Sequence, residues 1–385
     1  MKVLYIVTGI RPPEASGSEF IQNLIFAISK KGVNATVISP IYIHTEKNMG
    51  LWTDEQEKKY NVRFILIDTP SFIKKLFLLH IAITPLLTTV TVLKVLLKER
   101  FDIVHEFTST PAIILRSLIY RFFNTPSVFT LAVLNKTIFG KLLWFKIFDF
   151  GSAYLIPSCE IINKIINIGV KKEKIFYLPP GINTLIFKSK TTKLQARKIL
   201  GLPKNLIIFT YFGALTEEKG VFDILQASKL LSKETRQKIF IALFCYYLKG
   251  SSTFEKMAKA LRDGVPENIK LYEKYVDIPL LLTASDYIIY PQRTGHGTTI
   301  PPISILEGLA AEKPIITTDI VGTREIITKN RGLLIPPSNP LSLAKIIKKV
   351  SFETIKFDRN SNLDDFDLTN VTSRLLSIYK EVSKR

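Results

Sequence analysis

Short runs of branched apolar residues alternate with amphipathic stretches along most of the chain. Residues 2–9, 34–39, 62–67, 101–105, 126–131 and 153–156 read as buried strands. The intervening stretches have helical period; over 18–31, Phe20, Ile21, Leu24, Ile25 and Ile28 share one face. Uniformly apolar strands separated by helices predict a parallel sheet covered on both sides. The pattern breaks at Leu178-Pro179-Pro180-Gly181 and at a basic, polar stretch over 188–198. It then restarts, with strands expected near 206–213, 238–245, 286–290, 314–317 and 332–335. We therefore expect an α/β protein of two doubly wound domains, 1–182 and 195–350. Ligands of such sheets sit beyond the carboxyl ends of the strands, which places the chemistry in those loops and in a cleft between the domains.

Composition narrows the classes. With 46% hydrophobic and 22% charged residues, the 385-residue chain is a folded one with room for two cores. Its two cysteines, Cys159 and Cys245, give neither a disulfide framework nor a zinc spacing, and the four histidines are scattered. From that cysteine usage a reducing cytosol is expected, and Met1 leads straight into an apolar strand pattern with no cleavage site. The formal charge of +20 calls for a polyanionic partner: a phosphorylated substrate, an anionic membrane face or nucleic acid. The basic residues are spread out, with no zinc-finger, RNA-binding or helix-turn-helix signature, which disfavours nucleic acid.

Three loops carry candidate chemistry. After the first strand, Ser16 and Glu19 have capping-box spacing, and Gly17 would let a ligand approach the backbone amides of a helix start. An ordinary capped helix explains the same residues. In the second half, Phe212-Gly213-Ala214-Leu215-Thr216-Glu217-Glu218-Lys219-Gly220 joins a strand to a helix, and the Lys219 ammonium could meet a diphosphate there; a solvated turn lysine is the rival. The third loop runs from Gly295 through His296, Thr298 and Thr299 into a helix that carries Glu307 beside its apolar stripe. A carboxylate in that place needs partners, either sugar hydroxyls or an internal salt bridge. There is no G-x-G-x-x-G and no P-loop, which disfavours a nicotinamide oxidoreductase.

Together and in order, these motifs resemble glycosyltransferase family 4, retaining enzymes of the GT-B fold with two Rossmann-like domains. The resemblance covers nearly the whole chain: Ser16-Gly17, Phe101-Asp102-Ile103-Val104-His105, Pro180-Gly181-Ile182-Asn183-Thr184, Glu218-Lys219-Gly220, Leu306-Glu307-Gly308-Leu309 and Gly322-Thr323-Arg324-Glu325. It implies transfer of a hexose-type sugar from a nucleotide diphosphate sugar to a glycan or lipid-linked hydroxyl. The donor would meet Gly17, Gly213, Lys219, His296, Thr298, Thr299 and Glu307, with Lys219 on the diphosphate and Glu307 on the ribose. No metal and no further cofactor is implied, and Asp365-Phe366-Asp367 reads as a helix cap. A closing segment, 351–385, would cross back to the first domain.

Departures from the family pattern are equally specific. Ala214 stands where an arginine is usual, Thr299 where a glutamate is usual, and Ala132 where a histidine is common. Arg11, Arg293 or His296 could supply the missing charge, and His105 is a candidate base. The alternatives are a degenerate protein of this fold acting as a binding or partner subunit, and a nucleotide-sugar epimerase.

Residues 72–97 form an apolar stretch with lysines at both ends, and 138–148 add aromatic and basic character. His80, Pro85 and four threonines argue against a membrane span. The stretch suits peripheral attachment to an anionic membrane, here expected at the inner face of the cell membrane; core packing is the competing reading.

Overall fold

The computed structural model describes residues 1–7, 19–40, 54–68, 77–107, 112–131, 151–167, 169–189, 191–246, 255–256, 259–260, 266–272, 276–295, 299–328, 330–358 and 362–385. The chain divides into two compact units, Met1–Gly181 with Leu368–Arg385, and Ile182–Asp367.

In the first unit, the strands are β1 (Lys2–Ile6), β2 (Asn34–Pro40), β3 (Val62–Ile67), β4 (Ile103–Glu106), β5 (Ser127–Thr130), β6 (Ala153–Ile156) and β7 (Ile175–Tyr177). They pair in parallel in the order β3-β2-β1-β4-β5-β6-β7. Side chains alternate between two cores. Val3, Tyr5 and Ile103 face a layer holding helix Glu19–Ser29 and Val371, Leu375, Ile378 and Tyr379 of helix Leu368–Val382. Leu4, Ile6 and Val104 face Val92, Val95 and Leu96 of helix Phe77–Lys98 and Tyr120 of helix Ile113–Phe122.

The second unit holds β8 (Ile207–Ala214), β9 (Ile239–Tyr246), β10 (Ile269–Tyr272), β11 (Tyr287–Tyr290), β12 (Ile315–Thr318) and β13 (Gly332–Ile335), all parallel, in the order β10-β9-β8-β11-β12-β13. Each sheet therefore runs outward from its first strand in both directions, the Rossmann-like order, so each unit is a doubly wound α/β domain. Two strands were not anticipated, β7 and β10. Both lie at sheet edges; β7 is only the three residues Ile-Phe-Tyr, and the run of β10 is broken by the exposed Lys270, so neither gives the longer buried run of a central strand.

Candidate functional site

A doubly wound sheet opens a crevice where the connections from two adjacent strands leave in opposite directions. In the second unit that point lies between β8 and β11, which pair through Tyr287 and Ile288. After β8 the chain forms a single turn, Glu217–Lys219, and then helix Val221–Leu230. Gly220 joins the two with φ 72°, and a Cβ there would lie 1.8 Å from the Pro291 carbonyl oxygen. The Arg293 amide donates to the Glu218 carbonyl at 2.8 Å. The segment following β11 is thus pressed directly onto the turn that carries Lys219. Thr317 and Thr318 on β12 donate to the carbonyls of Tyr290 and Gln292 and fix this segment from the other side.

Lys219 Nζ donates to the Tyr290 hydroxyl at 2.8 Å. Burial pulls its pKa down to about 8, against the opposing pull of Glu218. A half-desolvated ammonium gains from any phosphoryl oxygen that reaches it. Tyr290, which sequence reasoning did not single out, holds the lysine at the strand end. The only sequence cue was a tyrosine closing the short strand Tyr-Ile-Ile-Tyr.

Arg293 binds Asp223 bidentately, Nε to Oδ2 at 2.9 Å and Nη2 to Oδ1 at 2.7 Å, and the carboxylate raises the arginine pKa. Asp223 is buried in the first turn of helix Val221–Leu230. The expectation of a cation offered in place of Ala214 therefore meets an arginine that already has a carboxylate partner. Gly213 takes φ 140°, and Ala214 closes β8 with its carbonyl bonded by the Tyr211 hydroxyl at 2.7 Å.

Thr299 is half-buried. Helix Ile303–Ala310 carries Glu307, also half-buried, between buried Leu306 and Gly308. A Cβ on Gly308 would meet Ile315 Cδ1 at 2.6 Å and Ile288 Cγ1 at 3.3 Å, so this glycine lets the helix lie close against β11 and β12. Gly17, Arg11, His296, Thr298 and Ala132 lie outside the described residues. Among the described residues, no cluster of three or more His, Cys, Asp or Glu could hold a metal ion. Asp367 of the Asp-Phe-Asp sequence accepts from the Thr184 hydroxyl at 2.9 Å.

In the first unit, His105 on β4 is fully buried. Its Nδ1 pairs with the Tyr379 hydroxyl and its Nε2 lies 2.6 Å from the Thr130 hydroxyl. Burial pushes its pKa down to about 3. Instead of an exposed base, the structure has a neutral imidazole packed between β4, β5 and helix Leu368–Val382. Next to it, Glu106 accepts from Arg116 Nε at 2.6 Å, from Arg116 Nη2 at 3.0 Å and from the Tyr120 hydroxyl, all buried. This triad ends β4 on the opposite face and escaped sequence reading, because its partners lie on a separate helix.

Residues 192–360 match the family model of glycosyl transferases group 1. The second unit is built around a glycosyl transferases group 1 domain. Among curated relatives, the UDP-Gal:alpha-D-GlcNAc-diphosphoundecaprenol alpha-1,3-galactosyltransferase of Escherichia coli is 24% identical over 314 residues, 75% of this chain and 78% of that protein. A Bacillus subtilis (strain 168) protein described as a teichuronic acid biosynthesis glycosyltransferase, TuaC, is 28% identical over 179 residues. That match takes in 46% of this chain and 42% of TuaC, so the chain spans less than half the length of that relative. Among solved structures, Anabaena HepE in complex with UDP and glucose superposes with a TM-score of 0.74 at 17% identity, over 99% of this chain and 100% of HepE. The group 1 domain thus contains the whole β8–β11 crevice, with Lys219, Tyr290, Arg293 and Glu307.

Proposed function

We propose that this protein transfers a hexose-type sugar from a nucleotide diphosphate sugar to a hydroxyl of a lipid-linked acceptor at a membrane face. The observation that carries the reading is Lys219, a partly desolvated ammonium held by Tyr290 at the switch point of a group 1 domain. The Escherichia coli relative is named for a UDP-sugar donor and a diphosphoundecaprenol-linked acceptor, which makes UDP-sugars the first donors to test.

In this reading Lys219 meets the diphosphate and Glu307 the ribose. The bond from the anomeric carbon to the phosphate oxygen breaks as the acceptor oxygen bonds to the same face of that carbon, giving retention. The negative charge of the leaving diphosphate is held by Lys219, and a phosphate oxygen takes the acceptor proton. No metal enters the scheme. The buried His105 has no part in it beyond packing.

Thermal-shift titration with UDP-, GDP-, ADP- and dTDP-sugars tests the donor, and release of the nucleoside diphosphate with lipid-linked acceptors tests transfer. Stabilisation by one nucleotide class, lost in Lys219→Ala and Glu307→Ala, is the expected result. Turnover in Lys219→Ala should fall by about 10²–10³, the loss typical of one charge-stabilising donor. No shift with any donor would sink the reading in favour of a binding or partner subunit.

A further inference from the structure

Helix Phe77–Lys98 is turned partly inside out. Thr84, Thr88 and Thr89 are buried on its inner side, and the hydroxyls of Thr88 and Thr89 turn back to the carbonyls of Thr84 and Pro85. Among its described side chains, the exposed ones are Leu86 (56% exposed), Val90, Leu93 and Leu97 (66%), with Lys94 and Lys98 beside them. The spacing of four, three and four residues keeps the apolar four on one stripe. Helix Ile113–Phe122 does the same: Leu115, Leu118 and Phe122 (84% exposed) share its outer side with Arg121. Both helices pack into one core on the same face of the sheet, Val92, Val95 and Leu96 joining Tyr120 there, so their outer sides look away from the sheet together.

Seven large apolar side chains on adjacent helices are more than the scattered exposure normal for a monomer. The charges among them have one sign. Neither helix contains an acidic residue, and Glu99, the carboxylate that follows the first helix in sequence, is paired with Lys2 and Arg63. A second copy docked face to face would set lysines and arginine against their own kind, which disfavours self-association. An anionic bilayer accepts both parts, the leucines and phenylalanine into the acyl boundary and the cations onto the headgroups.

We propose that the outer faces of helices Phe77–Lys98 and Ile113–Phe122 form one docking surface for an anionic lipid bilayer. The proposal rests on the reading that the acceptor is lipid-linked, and it assigns the side of the first unit that meets the membrane. No helix among the described residues is long and apolar enough to span the membrane, so the contact is interfacial.

The test is co-flotation of the full chain with vesicles of phosphatidylcholine alone or mixed equally with phosphatidylglycerol. Thermal shift with UDP and molar mass by light scattering are read on the same samples. The expected result is retention on the phosphatidylglycerol vesicles only, weakening with salt. Leu93→Glu with Leu97→Glu, and Leu118→Glu with Phe122→Glu, should each abolish retention while melting temperature and UDP shift stay unchanged. Lys94→Gln, Lys98→Gln and Arg121→Gln together should weaken retention by about a hundredfold, at about fivefold for each cation. Failure of the wild type to float, or equal flotation of all variants, overturns the proposal. A dimer that the glutamate variants dissociate also overturns it and assigns the face to a second copy. Flotation that follows the expected pattern without any UDP shift supports the surface and counts against the donor reading instead.

Discussion

Lys219 Nζ and the Tyr290 hydroxyl, 71 positions apart in the chain, are bonded at 2.8 Å across the switch point of the second sheet. The pair sets a pH dependence. The lysine pKa is lowered to about 8, and a bound diphosphate would raise it again by favouring the ammonium. Between these two values, binding takes up one proton. UDP affinity should therefore be flat just below pH 8 and fall about tenfold per pH unit above it, where the terminal phosphate, with a pKa of about 6, is already fully ionised. Calorimetric titration between pH 7 and 10 checks this, and Lys219→Ala should remove the slope along with most of the affinity. Tyr290→Phe should weaken binding about fivefold, the effect of one hydrogen bond, and leave folding intact.

Gly220 should tolerate no side chain. Its φ of 72° acts together with the lack of space, since an added Cβ would stand 1.8 Å from the Pro291 carbonyl oxygen. Gly220→Ala should cost about 2–4 kcal/mol of stability, from left-handed strain plus overpacking. Urea unfolding measures the stability loss, and weaker UDP binding should accompany it, because the displaced segment carries Tyr290 and Arg293. Unchanged stability would mean that the turn and the segment after β11 can separate freely.

The Arg293–Asp223 pair should behave as a clamp between a loop and a helix. Removing Arg293 leaves a buried carboxylate without its bidentate partner. Arg293→Ala should destabilise by about 1–3 kcal/mol, and Arg293→Lys should rescue little, since an ammonium cannot make both bonds. In the double variant with Asp223→Asn, much of the loss should be recovered. If turnover instead falls by orders of magnitude at unchanged stability, Arg293 reaches the donor.

His105 predicts acid lability. Its folded pKa of about 3 lies below the ordinary 6.5, so the unfolded chain binds the extra proton. The associated stability is fully present above pH 6.5 and is lost at about 1.4 kcal/mol per pH unit as pH falls toward 3. His105→Gln, which keeps a donor and an acceptor, should flatten the acid limb of stability against pH by one proton. Parallel limbs would show that the imidazole is not sealed in.

The architecture was legible because burial on both faces of a parallel sheet leaves apolar, branched runs, and among the described residues eleven of the thirteen strands were expected from such runs. Edge strands β7 and β10 escape it, because β7 is only three residues long and β10 is interrupted by the exposed Lys270. Lys219 and Glu307 could be singled out from local motif alone. Lys219 lies on a turn between a strand and a helix, and such a turn is written in consecutive residues.

Partnership is different in kind. Nothing near Arg293 in sequence announces Asp223, and nothing near Lys219 announces Tyr290, because the sheet order β8-β11 alone brings those segments together. The same holds for the apolar stretch before β4, whose sequence suits core and membrane surface equally. Which leucines face outward depends on where the sheet lies relative to the helix, and the tertiary fold answers that by burying threonines and leaving Leu86, Val90, Leu93 and Leu97 in water. Sequence determined the elements and the chemically able side chains, since both follow from local periodicity and residue type. Only the tertiary structure decided which charges are paired and which faces are free, since those depend on contacts between residues far apart in the chain.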